Sequence, residues 1–593
     1  MKLSRVLRIL LAAVLMFLLF WFMLPPLNPV SPDFWIFVLL CLAIVFVTNL
    51  IGGIEMQTVE MNGAPVRIPA FFKRKKGTPH KKSPATIVAL IAGAIILLMA
   101  LASLIGAPLF NASKYKDLLV TEPGDFATDV AELNMSQIPV VDKDTAERLG
   151  LRKLGEMSDL VSQFEVADNY TQINYQGTPT RVTPLVYSDI IKWFNNQSAG
   201  IPAYISVNMV TQETTLVRLE EGIKYSQSEY FLRNIDRYLR FHYPTKIFDT
   251  VSFEIDEAGT PFWIAPTITY RIGIWSGRDI DGAVLVNAIT GESQYYALEQ
   301  IPTWVDQVFF SNLVIDQLNY NGKYQSGFWN SIFGQRGVLQ TTTGYNYIAV
   351  GDDVCLYTGM TSVVSDQSNV GFVLVNMRTK ETKFYSVPGA EEASAMTSAQ
   401  GQVQHLGYTA TFPLLLNVAD RPTYFMSLKD AAGLVKMYAF VDVEQYQVVG
   451  TGATVAEART AYMEKLQADE NIPTGDGNQA AGVISEIHAV VLDGNTTYYF
   501  RLEGDATVYT APLSISPELP FFRAGDTLTL TYYDSADGTR QVNGIERGTP
   551  AGNAADEPAD ESPEGNPADN PADNSTGDPA GQTASDESTP TAA

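Results

Sequence analysis

The chain has 593 residues, of which 46% are apolar and 11% aromatic, and its formal net charge is −25 at neutral pH. This length allows several domains, and the apolar fraction is sufficient for packed cores. Residues 1–86 hold ten Lys and Arg against three acids, so the rest of the chain is strongly acidic. We therefore expect no nucleic-acid partner, because this charge repels a polyanion.

With only Cys41 and Cys355, the chain has neither a disulfide framework nor a zinc finger.

Three apolar runs near the start of the chain predict membrane-spanning helices. Residues 9–24, 34–53 and 85–107 contain no Asp, Glu, Lys or Arg and match a hydrocarbon core about 30 Å thick. They define a membrane domain over residues 1–110. The first run is also short enough for a cleaved signal peptide. No small-x-small cleavage site follows it, which favours a retained helix.

The basic residues predict the orientation. The N-terminus and the loop KRKKGTPHKK at 73–82 are basic, whereas the turn PPLNPVSPD is not. By the positive-inside rule the N-terminus is cytoplasmic, and everything after residue 107 is extracytoplasmic in a multi-pass cell-membrane protein. The predicted helices carry no ionisable group, so we do not expect a self-contained transporter.

One short phrase recurs in the acidic part of the chain. It reads VNMVTQET at 207–214, VNAITGES at 286–293, VNMRTKET at 375–382 and, more loosely, VDVEQYQV at 441–448. An Asn or Asp ends one strand-like run, and a second run follows. Because Asn and Asp can cap their own backbone, we expect structural hairpin turns. The predicted turn residues are Asn208, Thr211, Asn287, Thr290, Gly291, Asn376, Thr379 and Asp442.

Repetition at this spacing predicts related modules that each combine a helix with an antiparallel hairpin. We place these α+β modules at 186–470, after an α+β segment at 111–185. A helix is expected at 143–157, capped by Asp142 or Asp144. Further helices are expected at 188–196, 228–242, 302–319, 391–405 and 454–466.

The helix, strand, strand pattern, with a Pro-x-[WY]-[IF] entry and a closing V-[ND]-x-x-T-G-E, resembles PepSY and PepSY-like domains. The resemblance covers roughly residues 185–450 and is clearest in VLVNAITGE. Gly291 of the closing motif is replaced by Gln212 and Lys380 in sister modules. The resemblance implies inhibition, chaperoning or peptide binding and supplies no catalytic residues. The whole chain also resembles a bacterial membrane-protein family with a large extracytoplasmic region and no assigned activity.

Residues 480–548 read as five short strands separated by Asp-Gly and Gly-Asp turns, which predicts a small, all-β, OB-like barrel. Nine acids against four arginines in this segment disfavour oligonucleotide binding. Residues 549–593 hold ten acids and no Lys or Arg, so we predict a disordered acidic tail.

No nucleophile, phosphate-loop or metal-ligand motif stands out, and we predict no catalytic residue, cofactor or metal ion. The acid pairs Asp256–Glu257 and Asp352–Asp353 would suit acid–base chemistry, but they fall in apparent turns. Aromatic side chains are the remaining candidates for a binding surface, with core packing as the alternative. The candidates are Trp263, Trp275, Trp304 and Trp329.

These observations predict a membrane-anchored extracytoplasmic scaffold or protein- or peptide-binding protein of the cell envelope, without catalysis. The alternative is an accessory subunit of a membrane transport or protein-export complex. A third possibility is a hydrolase of an envelope polymer.

Overall fold

A computed structural model describes residues 5–53, 55–61, 64–70, 84–130, 138–362, 368–469, 478–492, 495–512, 515–516, 518–534 and 539–547. The chain divides into two compact units, Met1–Asn471 and Ile472–Ala593. The segments 73–82 and 549–593, which we predicted to be a basic cytoplasmic loop and a disordered tail, lie outside the described residues.

Three long apolar helices come first, as predicted: α1 Arg5–Met23, α2 Pro32–Gly53 and α3 Pro84–Ile105. Each is long and apolar enough to cross a membrane. α1 ends at Met23 because Leu24 has left-handed backbone, with a φ of 47°, and two prolines follow. α3 ends earlier than predicted, since Gly106 and Pro108 interrupt the apolar run. Between α2 and α3, the strands β1 Glu55–Met61 and β2 Ala64–Ala70 form an antiparallel hairpin that we did not predict.

A short connecting region follows α3. It consists of α4 Pro108–Lys116, β3 Glu122–Pro123, α5 Phe126–Asp129 and α6 Lys143–Gly155. Asp142 caps α6 by accepting a hydrogen bond from the Thr145 backbone N–H at 3.0 Å. Lys429 Nζ donates to the same carboxylate at 2.6 Å. The start of this helix is thus tied to a strand far away in the sequence.

Four sheets follow, and each comes after a helix in the chain. Sheet I consists of β4 Phe164–Val166, β5 Thr171–Tyr175, β6 Thr178–Tyr187, β7 Ile201–Asn208 and β8 Thr214–Ile223. Sheet II consists of β9 Ser252–Ile255, β10 Pro261–Ile272, β11 Ser276–Asn287 and β12 Ser293–Ala297. In both sheets the last three strands form an antiparallel meander.

Sheet III consists of β13 Leu339–Thr341, β14 Asn346–Val350, β15 Asp353–Ser362, β16 Ser368–Asn376, β17 Thr382–Tyr385 and β18 Gly389–Ala390. Sheet IV consists of β19 Thr409–Ala410, β20 Leu414–Val418, β21 Arg421–Lys429, β22 Val435–Asp442 and β23 Val449–Gly452. The meanders β15–β16–β17 and β21–β22–β23 repeat the arrangement of sheets I and II. β3 joins sheet III by parallel pairing with β17.

The other helices of this unit are α7 Ile190–Asn196, α8 Ile235–His242, α9 Ser311–Lys323, α10 Gly327–Trp329, α11 Glu392–Gln402 and α12 Val455–Asp469. Each of the five helices predicted after residue 185 overlaps one of them. Two begin later than expected. α8 starts at Ile235 because Asn234 caps it after a tight 3-10 turn. α9 starts at Ser311, and residues 302–310 form a loop instead.

Sheets II and III are buried on both faces, which explains their continuous apolar runs. In β11, Val284 and Val286 face a core shared by all four sheets, whereas Ala283 and Leu285 face a second core between sheets II and III. α9 closes this second core with Val314 and other apolar residues. Because alternate residues of a strand point to opposite faces, both sets must be apolar.

The recurring phrase forms the turn between the last two strands of each meander. Asn208, Asn287 and Asn376 each accept hydrogen bonds at 2.9 Å from the backbone N–H groups two and three residues later. The turn threonines Thr211, Thr290 and Thr379 each accept one more bond from the Glu two residues on.

The fourth turn uses different contacts. Asp442 accepts from the Gln445 N–H at 2.7 Å and pairs with Arg421 at 2.9 Å. The same position therefore supports a turn in each sheet, through an Asn side chain in three of them and an Asp side chain in the fourth.

The second unit contains β24 Asn478–Leu492, β25 Asn495–Leu502, β26 Tyr509–Pro512, β27 Thr527–Asp534 and β28 Arg540–Arg547. Pairing runs in the order β24–β25–β26–β28–β27 and returns to β24, so each strand has two neighbours. Among the described strands of this second unit, β26 and β28 pair in parallel and the other pairs are antiparallel. Ile484, Phe500 and Leu528 belong to a core confined to this unit.

Substitutions at two of these turns should change the free energy of unfolding in opposite directions. Gln212 and Gly291 both have left-handed backbone, with φ of 64° and 76°. Gln212→Gly should raise the free energy of unfolding by roughly 0.5–1 kcal/mol, because it removes a left-handed penalty of about 1–2 kcal/mol at some cost in chain entropy. Gly291→Ala should lower it, since a β-carbon there would approach the Tyr225 ring to 2.3 Å. Thermal unfolding of the full chain in detergent measures both, and shifts of the same sign would contradict this account.

Candidate functional site: the membrane junction

The loop between α1 and α2 rests on the sheet domain, which we define as residues 108–469. The Leu27 backbone N–H donates to the Pro244 carbonyl at 2.7 Å, and Asn28 Nδ2 donates to the Thr245 carbonyl at 2.9 Å. Pro244 and Thr245 lie just beyond the end of α8. The α1–α2 loop is therefore in direct contact with the sheet domain.

Arg240 on α8 joins the end of α1 to this turn. Its side chain is only 5% exposed. Nε donates to the Leu24 carbonyl at 2.9 Å, and Nη1 donates to the Pro244 and Lys246 carbonyls at 3.2 and 2.7 Å. Burial lowers the pKa of the Arg240 guanidinium to about 10, and attraction to Asp33 offsets part of this effect. The group stays charged at neutral pH, so all three bonds are charge-assisted.

A second contact uses the adjacent face of α8. Arg237 and Phe241 are four residues apart, which places their side chains on the same side of the helix. The Arg237 guanidinium lies 4.4 Å from the centroid of the Trp21 ring. The Phe241 ring lies 5.9 Å from Phe20 and 6.1 Å from Trp21. Cation–π and aromatic packing thus hold α8 against the end of α1.

The end of α3 is held by the same domain. Tyr115 Oη donates to the Gly106 carbonyl at 2.9 Å, and Asn111 Nδ2 donates to the Ile105 carbonyl at 2.6 Å. These bonds satisfy carbonyls that the last helical turn leaves without an intrahelical partner. A β-carbon on Gly106 would come within 2.2 Å of Ser276 Oγ. Glycine therefore allows the tip of the β10–β11 hairpin to sit on the end of α3.

The four tryptophans considered as a binding surface occupy different environments. Trp263 is 1% exposed and belongs to the core, and Trp304 is partly buried with its ring 5.0 Å from Phe262. Trp275, at the β10–β11 tip, donates from Nε1 to a carbonyl of the α1–α2 loop at 3.3 Å. Trp329 is 63% exposed. Only Trp329 has the open exposure that a binding surface requires, so the four side chains do not line one groove.

In the two acid pairs that the sequence suggested for acid–base chemistry, one acid closes a turn and another forms an ion pair. Asp256 Oδ1 accepts from the Ala258 and Thr260 N–H groups at 3.0 and 2.8 Å, which closes a turn. Asp353 pairs with Arg378 at 2.7 Å. Among the residues that the structure describes, no group of three or more His, Cys, Asp or Glu side chains is placed to hold a metal ion.

A second acid pair, which the sequence analysis missed, lies at a junction of sheets. Glu254 on β9 is fully buried and accepts from the Asp306 and Gln307 backbone N–H groups at 2.9 and 3.0 Å. Asp306 is also buried and accepts from the Asn174 N–H of β5 at 2.7 Å. Gln307 Nε2 continues the network to the Gln172 carbonyl at 3.2 Å. The two carboxyls therefore connect sheets I and II with the loop that precedes α9.

Burial is the largest cause of the altered acidity of this pair. It raises the pKa of Glu254 above the ordinary carboxyl value, although two backbone hydrogen bonds oppose the shift. It also raises the pKa of Asp306, and the nearby negative charge of Glu254 raises it further. The pair thus retains protons at pH values where exposed carboxyls lose theirs.

Buried Cys355 lies near this pair on β15. Burial raises the pKa of its thiol to about 12, with Asp353 as a further cause, so the thiolate is disfavoured at neutral pH.

Comparison with known proteins leaves the family of the chain open. No family model matches the sequence, and no curated protein matches it. Among solved structures, an ACO/RPE65 chimera aligns at 9% identity with a TM-score of 0.12. The alignment covers 62% of this chain and 58% of the chimera. A TM-score this low carries no argument about fold or function.

Arg240 provides a test of the junction. Arg240→Met preserves much of the apolar stem but removes this donor from the Leu24 and Lys246 carbonyls and leaves the Pro244 carbonyl with its bond from the Leu27 N–H. Each lost hydrogen bond costs about 1–3 kcal/mol. We expect faster hydrogen–deuterium exchange in the α1–α2 loop and at residues 244–246, measured on the full chain in nanodiscs. Arg233→Met, a substitution on the turn before α8, is the control. Unchanged exchange in Arg240→Met would contradict the assigned role of Arg240.

The buried acid pair predicts a pH dependence of stability. Since the folded state holds protons that the unfolded state releases above about pH 4, the free energy of unfolding should fall as pH rises. The slope is up to about 1.4 kcal/mol per pH unit for each retained proton. Asp306→Asn should flatten this slope because an amide has no proton to release in this pH range. The fold should be retained, since the amide oxygen still accepts from the Asn174 N–H. Thermal unfolding at several pH values measures it, with exposed Asp352→Asn as the control. An unchanged slope in Asp306→Asn would refute the linkage.

Proposed function

We propose that the chain is a membrane-anchored scaffold or binding protein of the cell envelope, in which the sheet domain contacts protein or peptide without catalysis. One observation carries this proposal. Four helix-and-meander units with the same turn position are packed into one domain that is fastened to the ends of α1 and α3. A structural unit is commonly repeated within a chain, whereas a catalytic site is usually present once.

The four units are proposed to be copies of a PepSY-like module. In support, a helix precedes each sheet, and each sheet contains a three-stranded antiparallel meander. The Asn-centred turn has the same hydrogen bonds in three of the units. Left-handed backbone at Gln212, Gly291 and Lys380 adds a conformational match at one turn position. The PepSY resemblance favours peptide or protein contact over chemistry.

For the second unit we propose an OB-like barrel. The strand order 1-2-3-5-4, with return pairing of the first and fourth strands and a parallel pairing of the third and fifth, supports this assignment. A short helical turn, Leu519–Phe521, lies between β26 and β27, and Leu519 packs into the core of this unit. Its excess of acids over arginines favours a protein contact over nucleic acid.

We also propose that the sheet domain is extracytoplasmic and the N-terminus cytoplasmic. The basic residues of segments 1–8 and 73–82 support this orientation. The contact between the α1–α2 loop and the sheet domain supports it as well, because the loop without basic residues lies on the same side as the sheet domain.

A specific observation favours the alternative role as an accessory subunit of a membrane complex. Ala89 and Gly93 are exposed on α3, and a β-carbon added to Gly93 would meet nothing within 4 Å. Small residues four apart allow close approach of another helix. In this alternative, the partner docks on the membrane helices and not on the sheets.

Photo-crosslinking separates the two roles. p-Benzoylphenylalanine would replace exposed Thr215, which borders a polar concavity of about 270 Å³ on sheet I, or exposed Ile96 on α3. Thr215 and its neighbours supply hydrogen-bonding groups to the concavity, so we expect a protein or peptide adduct there and none at Ile96. An adduct only at Ile96 would support the accessory-subunit role. No adduct at either position would contradict both roles.

The non-catalytic proposal would be overturned if the purified full chain hydrolysed an envelope polymer and Glu254→Gln abolished that activity. We expect no turnover, because Glu254 is fully buried. Asp352→Asn is the matched control for loss of a carboxylate.

A further inference from the structure

Exposed aromatic rings of the sheet domain are concentrated near the ends of the membrane helices. Among its described residues, the Phe and Trp side chains that are more than half exposed are Phe110, Phe194, Phe231, Trp329 and Phe333. Isolated exposed apolar residues are normal on a protein surface, but clustered large rings indicate a contact surface. These five rings form two patches.

The first patch, which we call the helix-1 patch, consists of Ile190, Ile191, Phe194, Phe231 and Leu232, all more than half exposed. The Phe194 and Phe231 ring centroids lie 6.5 and 5.9 Å from that of buried Trp193. Trp193 is anchored by donation from Nε1 to buried Glu229 at 2.7 Å. The exposed Phe194 and Phe231 rings therefore pack near a side chain that is itself held by a buried hydrogen bond.

Arg237 connects this patch to α1. Arg237 Nη1 donates to the Phe231 carbonyl at 2.7 Å, and the same guanidinium covers the Trp21 ring. One side chain therefore joins the patch to the end of a membrane helix. The connection is short enough to place the patch beside α1.

The backbone of Phe231 adds an independent observation. Its φ is 53°, a left-handed conformation that is uncommon for a bulky residue and costs about 1–2 kcal/mol. The ring held in this way is 63% exposed, so the fold gains little core packing from it. A costly conformation that presents an apolar ring to the outside is consistent with a partner for that ring beyond this chain.

The second patch, which we call the helix-3 patch, consists of Phe110, Trp329, Ile332 and Phe333. Phe110 lies on α4, directly after α3, and α10 packs against α4. The Trp329 and Phe333 rings stack with centroids 5.8 Å apart. Phe328 anchors the segment by packing onto a buried cluster that contains Tyr115 and Tyr324.

We infer that both patches lie in the interfacial layer of the membrane that the three helices span. The inference rests on that spanning role and not on the proposed scaffold function. Phe and Trp rings are well suited to the boundary between headgroups and acyl chains. Each patch is joined by direct contacts to a helix end that must itself lie at this boundary. Lipid is therefore the occupant favoured by continuity with the membrane helices.

Partly exposed Lys192 lies between Ile191 and Phe194 in the sequence, and exposed Lys323 lies six residues before Trp329. Lysine side chains can extend from an apolar surface to lipid phosphates, which fits the same depth. With α1 and α3 as spans and a patch beside each, the sheet domain has two further points of support on the bilayer.

Depth-dependent fluorescence quenching tests the inference on the full chain. In a Cys41→Ala background, buried Cys355 is not expected to react, and an NBD label is placed at Phe333→Cys, Phe194→Cys or Leu406→Cys. Leu406 is an exposed residue of the segment between α11 and sheet IV and serves as the control. The protein is reconstituted into phosphatidylcholine–phosphatidylglycerol vesicles with or without doxyl-labelled lipid.

We expect lipid-borne quenching at positions 333 and 194 to be at least about twofold stronger than at 406, because interfacial groups reach roughly 5–10 Å into the boundary layer. All three replaced side chains are exposed, so the fold should be retained. Equal quenching at the three positions would overturn the inference. Protection from aqueous iodide without lipid quenching would also overturn it and would indicate a protein partner or a second copy of the chain.

Discussion

The fastening of the sheet domain to the α1–α2 loop is the constraint on which the rest of unit 1 depends. Arg240 provides it by bringing one charged group to three carbonyls, one at the end of α1 and two in the turn after α8. A buried charge is tolerated when it is hydrogen-bonded, and here the acceptors of Nε and Nη1 are backbone carbonyls. Because carbonyls cannot titrate, the attachment does not depend on the ionisation of a partner. The position of α8 then determines where sheet II and the sheets packed on it lie.

Within the sheet domain, packing and polar contacts connect the units in different ways. Apolar side chains from all four sheets share one core, so no sheet is shielded from water by itself. The buried pair Glu254–Asp306 lies where strands of sheets I and II meet the loop before α9. Such a network specifies one arrangement of the units, since displaced strands would leave buried carboxyls without donors. The four sheets of the sheet domain thus form one folded domain and not a series of independent units.

The sequence predicted those features that depend on local chemistry. Apolar runs without charges indicated the three helices, and the Asn-x-x-Thr spacing indicated the turns, because both depend on neighbouring residues. Glu254 and Asp306 were missed since they are 52 residues apart and become a pair only through folding. Trp263 and Trp329 have the same residue type but opposite exposure. Composition cannot distinguish the two tryptophans. Trp263 is buried because it lies on the inward face of β10, whereas Trp329 is exposed because it lies on α10.

The contact between Asn28 and Thr245 joins residues that are 217 positions apart. During synthesis the loop emerges first, and its partner follows after roughly 10–45 s at about 5–20 residues per second. The α1–α2 loop is therefore synthesised well before the surface that fixes it. The loop contact forms only after α8 and the turn that follows it have been synthesised, so it is a late step in the folding of unit 1.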